Sequence, residues 1–129
     1  MARVFIVLAA FLGFTGVALG AFAAHGLKAQ LSAAYLAVFQ TGVQYQNLHA
    51  LALFAVGLLA LQVRSAWLTA AGALFVAGVV LFSGSLYLLT LTSIGKLGMV
   101  TPLGGVLLLG GWLCVGVGAV RWRTEARLS

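Results

Sequence analysis

Apolar residues run along this chain in four long blocks, and single basic side chains mark the breaks between them. Between Arg3 and Arg121 the only ionised side chains are Lys28, Arg64 and Lys96. The blocks cover about residues 4–24, 44–63, 67–90 and 102–120. A helix needs about 20 apolar residues to cross a hydrocarbon core about 30 Å thick, so each block is long enough to span. The alternation of a membrane barrel is missing, and an open sheet would leave unpaired backbone groups in lipid. The pattern predicts an all-α integral membrane protein, a single membrane domain over residues 1–129, with four transmembrane helices in an up-down bundle.

The stretch between the first two blocks is too apolar for a solvated loop. Leu27, Leu31, Ala34 or Tyr35, and Val38 fall at helical spacing, which predicts a short interfacial amphipathic helix over about residues 28–41, bending into the membrane at Gly42. The competing reading is one long second helix that begins near Ser32, with that serine as its N-cap. At the N-terminus, Arg3, an apolar run and Ala21-Phe22-Ala23 imitate a secretory signal. A run of about 21 apolar residues exceeds the usual 7 to 15, so it is expected to act as the first transmembrane helix.

Composition agrees with the pattern: 64% of residues are hydrophobic and 6% charged, against about 25% charged in soluble domains. A soluble domain and a nucleic-acid partner are excluded on that ground. With four spans, Arg3, Arg64, Arg121, Arg123 and Arg127 share one side and Lys28 and Lys96 the other. The excess of basic residues places both termini in the cytoplasm of an inner (plasma) membrane. Arg121-Trp122-Arg123 suits an anionic lipid surface at that face. Small residues mark helix-packing faces: Ala9, Gly13, Gly16, Gly20 and Ala23 on the first helix, Ala66, Ala70, Ala73, Ala77 and Gly84 on the third, and Gly104, Gly111 and Gly118 on the fourth. Such faces could meet within one chain, in a homo-oligomer or in a larger membrane complex.

Polar side chains concentrate in Gln40–His49. At 100° per residue Gln40, Gln44 and Asn47 form one row, with Tyr45 and His49 beside it, and only Gln46 points well away. That face is expected to look inward. Up-down topology would bring His25, Ser83, Ser85, Tyr87 and Thr101 to the same outer layer, Thr101-Pro102 reading as an N-cap followed by proline at the first helical position. The candidate ligand-binding or interhelical cluster is therefore His25, Gln44, Tyr45, Asn47, His49, Ser83, Ser85, Tyr87 and Thr101. His25, before Gly26, also reads as a helix C-terminal cap. Two histidines fall short of a metal site, and Cys114 lies too deep to complete one. The only carboxylic side chain is Glu125, in the tail, so no Ser-His-Asp constellation forms. No catalytic residue, metal or cofactor is expected.

Gly20-Ala21-Phe22-Ala23-Ala24-His25-Gly26-Leu27-Lys28 and Tyr45-Gln46-Asn47-Leu48-His49-Ala50-Leu51-Ala52-Leu53 resemble the signatures of a small bacterial membrane-protein family, the YgdD-like family, catalogued as domain of unknown function 423. Leu81 to Tyr87, Thr101-Pro102-Leu103-Gly104-Gly105 and Gly111-Trp112 are similar in the same order. The resemblance covers nearly the whole chain. It implies a four-helix inner-membrane protein and no established activity.

Three function classes follow. The first is a structural or accessory membrane subunit, favoured by the scarcity of ionisable groups. The second is a binding protein or transporter for a small apolar or amphipathic molecule, recognised by Tyr45, His49, Ser83, Ser85 and Tyr87. The third, with the least support, is a metal- or haem-assisted enzyme using His25 and His49.

Overall fold

Four helices form, each long and apolar enough to cross a membrane. The computed structural model describes the backbone of residues 1–128 and the side chains of residues 1–122. Helix α1 spans Ala2–His25, α2 Ala33–Gln62, α3 Ala66–Thr92 and α4 Thr101–Leu128. Short 3₁₀ turns at Leu27–Ala29 and Gly95–Met99 join α1 to α2 and α3 to α4. The side chains of Arg123, Glu125 and Arg127, invoked above for charge and chemistry, lie outside the described residues.

The separate interfacial helix expected over residues 28–41 is not formed. Residues 33–41 are instead the first turns of an unbroken 30-residue α2. Its N-cap is Ser32, whose hydroxyl accepts from the Tyr35 N–H at 3.1 Å. Gly42 lies inside that helix without breaking it, and its missing side chain serves a close approach. A Cβ there would lie 2.8 Å from Cε1 of Tyr87, and the Gly42 carbonyl accepts from Ser83 Oγ at 2.7 Å. Leu27 turns back into a small core with Ala23, Phe39 and Val43, which anchors the connection against α2.

Each helix packs against its neighbours in sequence: α1 on α2, α2 on α3 and α3 on α4, with no comparable face between α1 and α4 among the described residues. Contacts between α1 and α2 descend one helix as they climb the other: Ile6 meets Gly57, Gly16 meets Asn47 and Gly20 meets Val43. Between α3 and α4 the glycines of α4 act as a heptad ladder. Gly104 receives Phe82, Gly111 receives Phe75 and Gly118 receives Trp67.

The small-residue face expected on the third helix lies elsewhere. Ala66, Ala73 and Ala77 are exposed, and Gly84 has open space where a side chain would stand. The face that packs is Leu68, Ala71, Phe75, Gly78, Val79 and Ser83. The physical reason is complementarity in both directions: Phe75 and Phe82 of α3 fill the gaps at Gly111 and Gly104 of α4, and Leu108 of α4 fills the gap at Gly78 of α3. Phe75, fully buried, sits in a core with Phe5, Leu53, Val56, Leu68, Val79 and Leu108, drawn from all four helices.

Candidate interhelical polar site

Gln46 is the centre of the polar interior. It is 4% exposed and bonds to two other helices at once. Its amide nitrogen donates to the Leu12 carbonyl at 2.9 Å and to Thr15 Oγ1 at 2.8 Å, both on α1. Its amide oxygen accepts from the Tyr87 hydroxyl of α3 at 2.7 Å. Thr15 can accept because its own proton goes to the Phe11 carbonyl at 2.9 Å. Tyr87 is held in place by Phe39, ring centroids 4.8 Å apart, and by the bare face of Gly42.

The inward-facing row expected on α2 is therefore reversed at its centre. Gln46, the residue read as pointing away, is inside, while Gln44 and Gln40 are exposed and Asn47 is half-buried. Tyr45 is 41% exposed, its ring 4.4 Å from that of Phe82, and its phenol has no hydrogen bond among the described residues. His49 does face inward. Its Nδ1–H is assigned to the Tyr45 carbonyl at 2.7 Å, and Nε2 accepts from the Trp112 indole N–H of α4 at 3.1 Å. This pattern corresponds to a neutral imidazole with both nitrogens engaged. The His49 and Trp112 rings also pack with Phe75.

Two hydroxyl bridges complete the set. Ser83 Oγ donates to the Gly42 carbonyl, tying α3 to α2. Ser85 Oγ, which donates to the Phe82 carbonyl at 2.8 Å, pairs with Thr101 Oγ1 at 2.5 Å and ties α3 to α4. Thr101 thus uses its hydroxyl across helices. The Leu103 and Gly104 N–H groups donate to the Val100 carbonyl rather than to the Thr101 hydroxyl.

His25 stands apart from this cluster. It is exposed, and the helix end it was expected to cap is closed by the Gly26 N–H, which donates to the Phe22 carbonyl at 2.8 Å. The α1–α2 register sets His25 level with about residue 38, so His49 lies about 16 Å farther along the bundle. The two histidines invoked for a metal- or haem-assisted enzyme do not share a site. Among the described residues no three of His, Cys, Asp and Glu come together.

Sequence reasoning missed Gln46, Thr15 and Trp112. The signal that finds Gln46 is glycine spacing: Gly42, Gln46 and His49 stand at steps of four and three, and Leu53, Val56 and Gly57 continue the same buried face. Trp112→Phe tests the α2–α4 link. It leaves His49 Nε2 unpaired in an apolar setting, and a double-mutant cycle with His49→Leu, read by thermal denaturation in detergent, is expected to return a coupling of about 0.6–1.7 kcal/mol.

Two grooves open on the flanks. One of about 360 Å³ lies between α1 and α2, lined by Ala10, Gly13, Val17, Asn47 and Phe54 among others. The other, about 440 Å³, lies between α2 and α4 and is walled by Tyr45, His49, Phe82, Pro102 and Trp112.

Helices cross-linked by amide, hydroxyl and indole groups within four membrane-length segments define the class: a small four-helix membrane protein. More narrowly, the chain belongs to the DUF423 family, described as a protein of unknown function, whose profile matches residues 19–105. That stretch holds Gln46, His49, Ser83, Ser85, Tyr87 and Thr101. The chain is 49% identical over 121 residues to the UPF0382 membrane protein YwdK of Bacillus subtilis, covering 93% of this chain and 98% of the relative. It is 43% identical to a UPF0382 membrane protein of Staphylococcus saprophyticus, covering 92% and 98% of the two chains. To the UPF0382 inner membrane protein YgdD of Escherichia coli K12 it is 41% identical, covering 95% and 94%. No solved structure matches the chain.

Proposed function

We propose that this protein is a structural or accessory subunit of the inner membrane, its four helices crossing up and down with both termini in the cytoplasm, and that it works as a pair of identical copies. The excess of basic residues at the α2–α3 turn and the two chain ends supports the orientation.

One observation carries the reading. No buried side-chain nitrogen or oxygen among the described residues lacks a hydrogen bond, so the interior polar groups are committed to one another. Asn47 is the contrasting case. Its amide has no hydrogen bond among the described residues, and it borders the α1–α2 groove beside Gly16, about 12 Å inside the outer end of the first apolar run. Gln40 and Gln44 stand nearer that end, where long side chains reach headgroups. An unpaired amide in hydrocarbon is costly. An amide is both donor and acceptor, so a two-fold copy of the same surface satisfies it, Asn47 to Asn47. Gly13, with open space around its α-carbon, and Ala10 leave room for close approach.

Asn47→Leu is expected to weaken self-association in lipid roughly fivefold, for a bond of about 1 kcal/mol, while monomer stability holds. Single-molecule photobleaching in vesicles measures this directly. Unchanged dimer occupancy in the variant would sink the proposal.

A second reading, a binding protein or transporter for a small amphipathic molecule, is favoured by the α2–α4 groove and the free Tyr45 phenol on its wall. Of the residues expected to recognise such a ligand, only Tyr45 and His49 line that groove. Ser83, Ser85 and Tyr87 are engaged between helices, which makes the accessory role the stronger one.

A further inference from the structure

The turn between α2 and α3 and the end of α4 enclose a pocket of about 230 Å³, to which Arg64, Ser65, Trp67, Gly118, Arg121 and Trp122 all contribute. Gly118 makes it possible. A Cβ there would lie 3.2 Å from the Trp67 Cβ, so α4 comes down directly onto the start of α3. The approach carries Arg121 over the Trp67 ring, its Cζ 5.5 Å from the centroid, while Arg64 arrives from the turn. Neither arginine has an ion-pair or hydrogen-bond partner among the described residues. Two guanidinium groups on one small pocket repel each other, and an anion between them removes the repulsion. Guanidinium is the side chain best shaped for a phosphate, which it grips through paired N–H donors. The first N–H groups of α3, at Ala66 and Trp67, have no acceptor within the helix and add to the positive potential.

The pocket does not end at its charges. A narrower apolar crevice of about 70 Å³ shares Val63, Ser65, Gly118 and Trp122 with it and continues between Leu59, Leu68 and Val115. A charged chamber opening into an apolar slot matches a molecule with an anionic head and a hydrocarbon tail. Trp67 and Trp122 are residues of the kind that settle at headgroup level.

We propose that this pocket holds one anionic phospholipid of the adjoining leaflet, its phosphodiester between Arg64 and Arg121 and the start of an acyl chain in the crevice. This site is separate from the α1–α2 groove and stands independently of the dimer.

The test uses the full chain in detergent with phosphatidylglycerol, phosphatidylcholine or inorganic phosphate added, read by native mass spectrometry and thermal denaturation. Wild type is expected to retain one phosphatidylglycerol per chain and to be stabilised by it, with little response to phosphatidylcholine or inorganic phosphate. Arg64→Gln with Arg121→Gln is expected to weaken phosphatidylglycerol retention at least tenfold. Arg3→Gln, which removes a charge away from the pocket, is expected to change it less than twofold. Arg64→Gln alone, at an exposed turn, gives the same reading if the double variant folds poorly. Equal losses in Arg3→Gln and Arg64→Gln would mean diffuse surface attraction and overturn the proposal. So would protection by inorganic phosphate as large as that by the lipid.

Discussion

Gly104→Ala is expected to destabilise the protein by about 3 kcal/mol, the upper part of the usual range for forcing extra volume into a packed interior. A Cβ at Gly104 would be driven into the backbone nitrogen of Phe82 and would lie 2.8 Å from its Cα. Backbone cannot rotate aside as a side chain does, so α4 must move bodily. That movement disturbs the same ladder at Gly111 and Gly118 and stretches the Ser85–Thr101 bridge. The neighbouring Gly105→Ala is the internal control. Its Cβ would come no closer than 3.8 Å to Phe82, and alanine is the better helix former, so stability should hold or rise slightly. Unfolding followed by tryptophan fluorescence measures both. Equal behaviour of the two variants would mean that α3 and α4 do not cross so closely.

Gln46→Leu is expected to cost about 2 kcal/mol. Three hydrogen bonds disappear, to Leu12, Thr15 and Tyr87, and interhelical bonds of this kind average about 0.6 kcal/mol and reach about 1.7 in membranes. The Tyr87 hydroxyl loses its acceptor, which adds to the loss. Tyr87→Phe should cost less, because it removes one bond, and combining the two should cost less than their sum. Gln44→Leu, three residues before Asn47 and exposed, should be close to neutral. The contrast between positions 44 and 46 separates a central amide from a merely polar helix, and steric trapping or thermal unfolding reads it. A larger loss at Gln44 would restore the row of Gln40, Gln44 and Asn47 as the inner face.

That contrast also explains what the chain made legible. Four spans followed from Arg3, Lys28, Arg64, Lys96 and Arg121, because ionised groups are excluded from lipid regardless of how the helices pack. The glycine heptad of α4 was readable for a similar reason, since close approach leaves few other residues possible. The orientation of α2 was not. A polarity argument needs a helix with one inner side and one lipid side, and α2 meets α1 through Gln46, α3 through Gly42 and α4 through His49. Its polar residues therefore go to several surroundings: Gln46 and His49 to other helices, Gln40 and Gln44 to exposed positions, Asn47 to a groove. Ser83, Ser85, Tyr87 and Thr101 bond between helices in the structure, where their spacing left ligand contacts and helix glue equally open. Which of these they are depends on partners on other helices, the Gly42 carbonyl for Ser83, Thr101 for Ser85 and Gln46 for Tyr87, which no spacing within one helix reveals.

The packing of each helix chiefly on its neighbour in sequence has a consequence for how the protein is made. A nascent helix leaving the ribosome finds its main partner already in the bilayer, so assembly can follow the order of synthesis. The hydrogen bonds would then close in sequence. Gln46 grips Thr15 when the first hairpin is complete, Tyr87 closes on Gln46 when the third segment enters, and Trp112 reaches His49 last. Each late arrival fastens a helix that the earlier ones have already positioned.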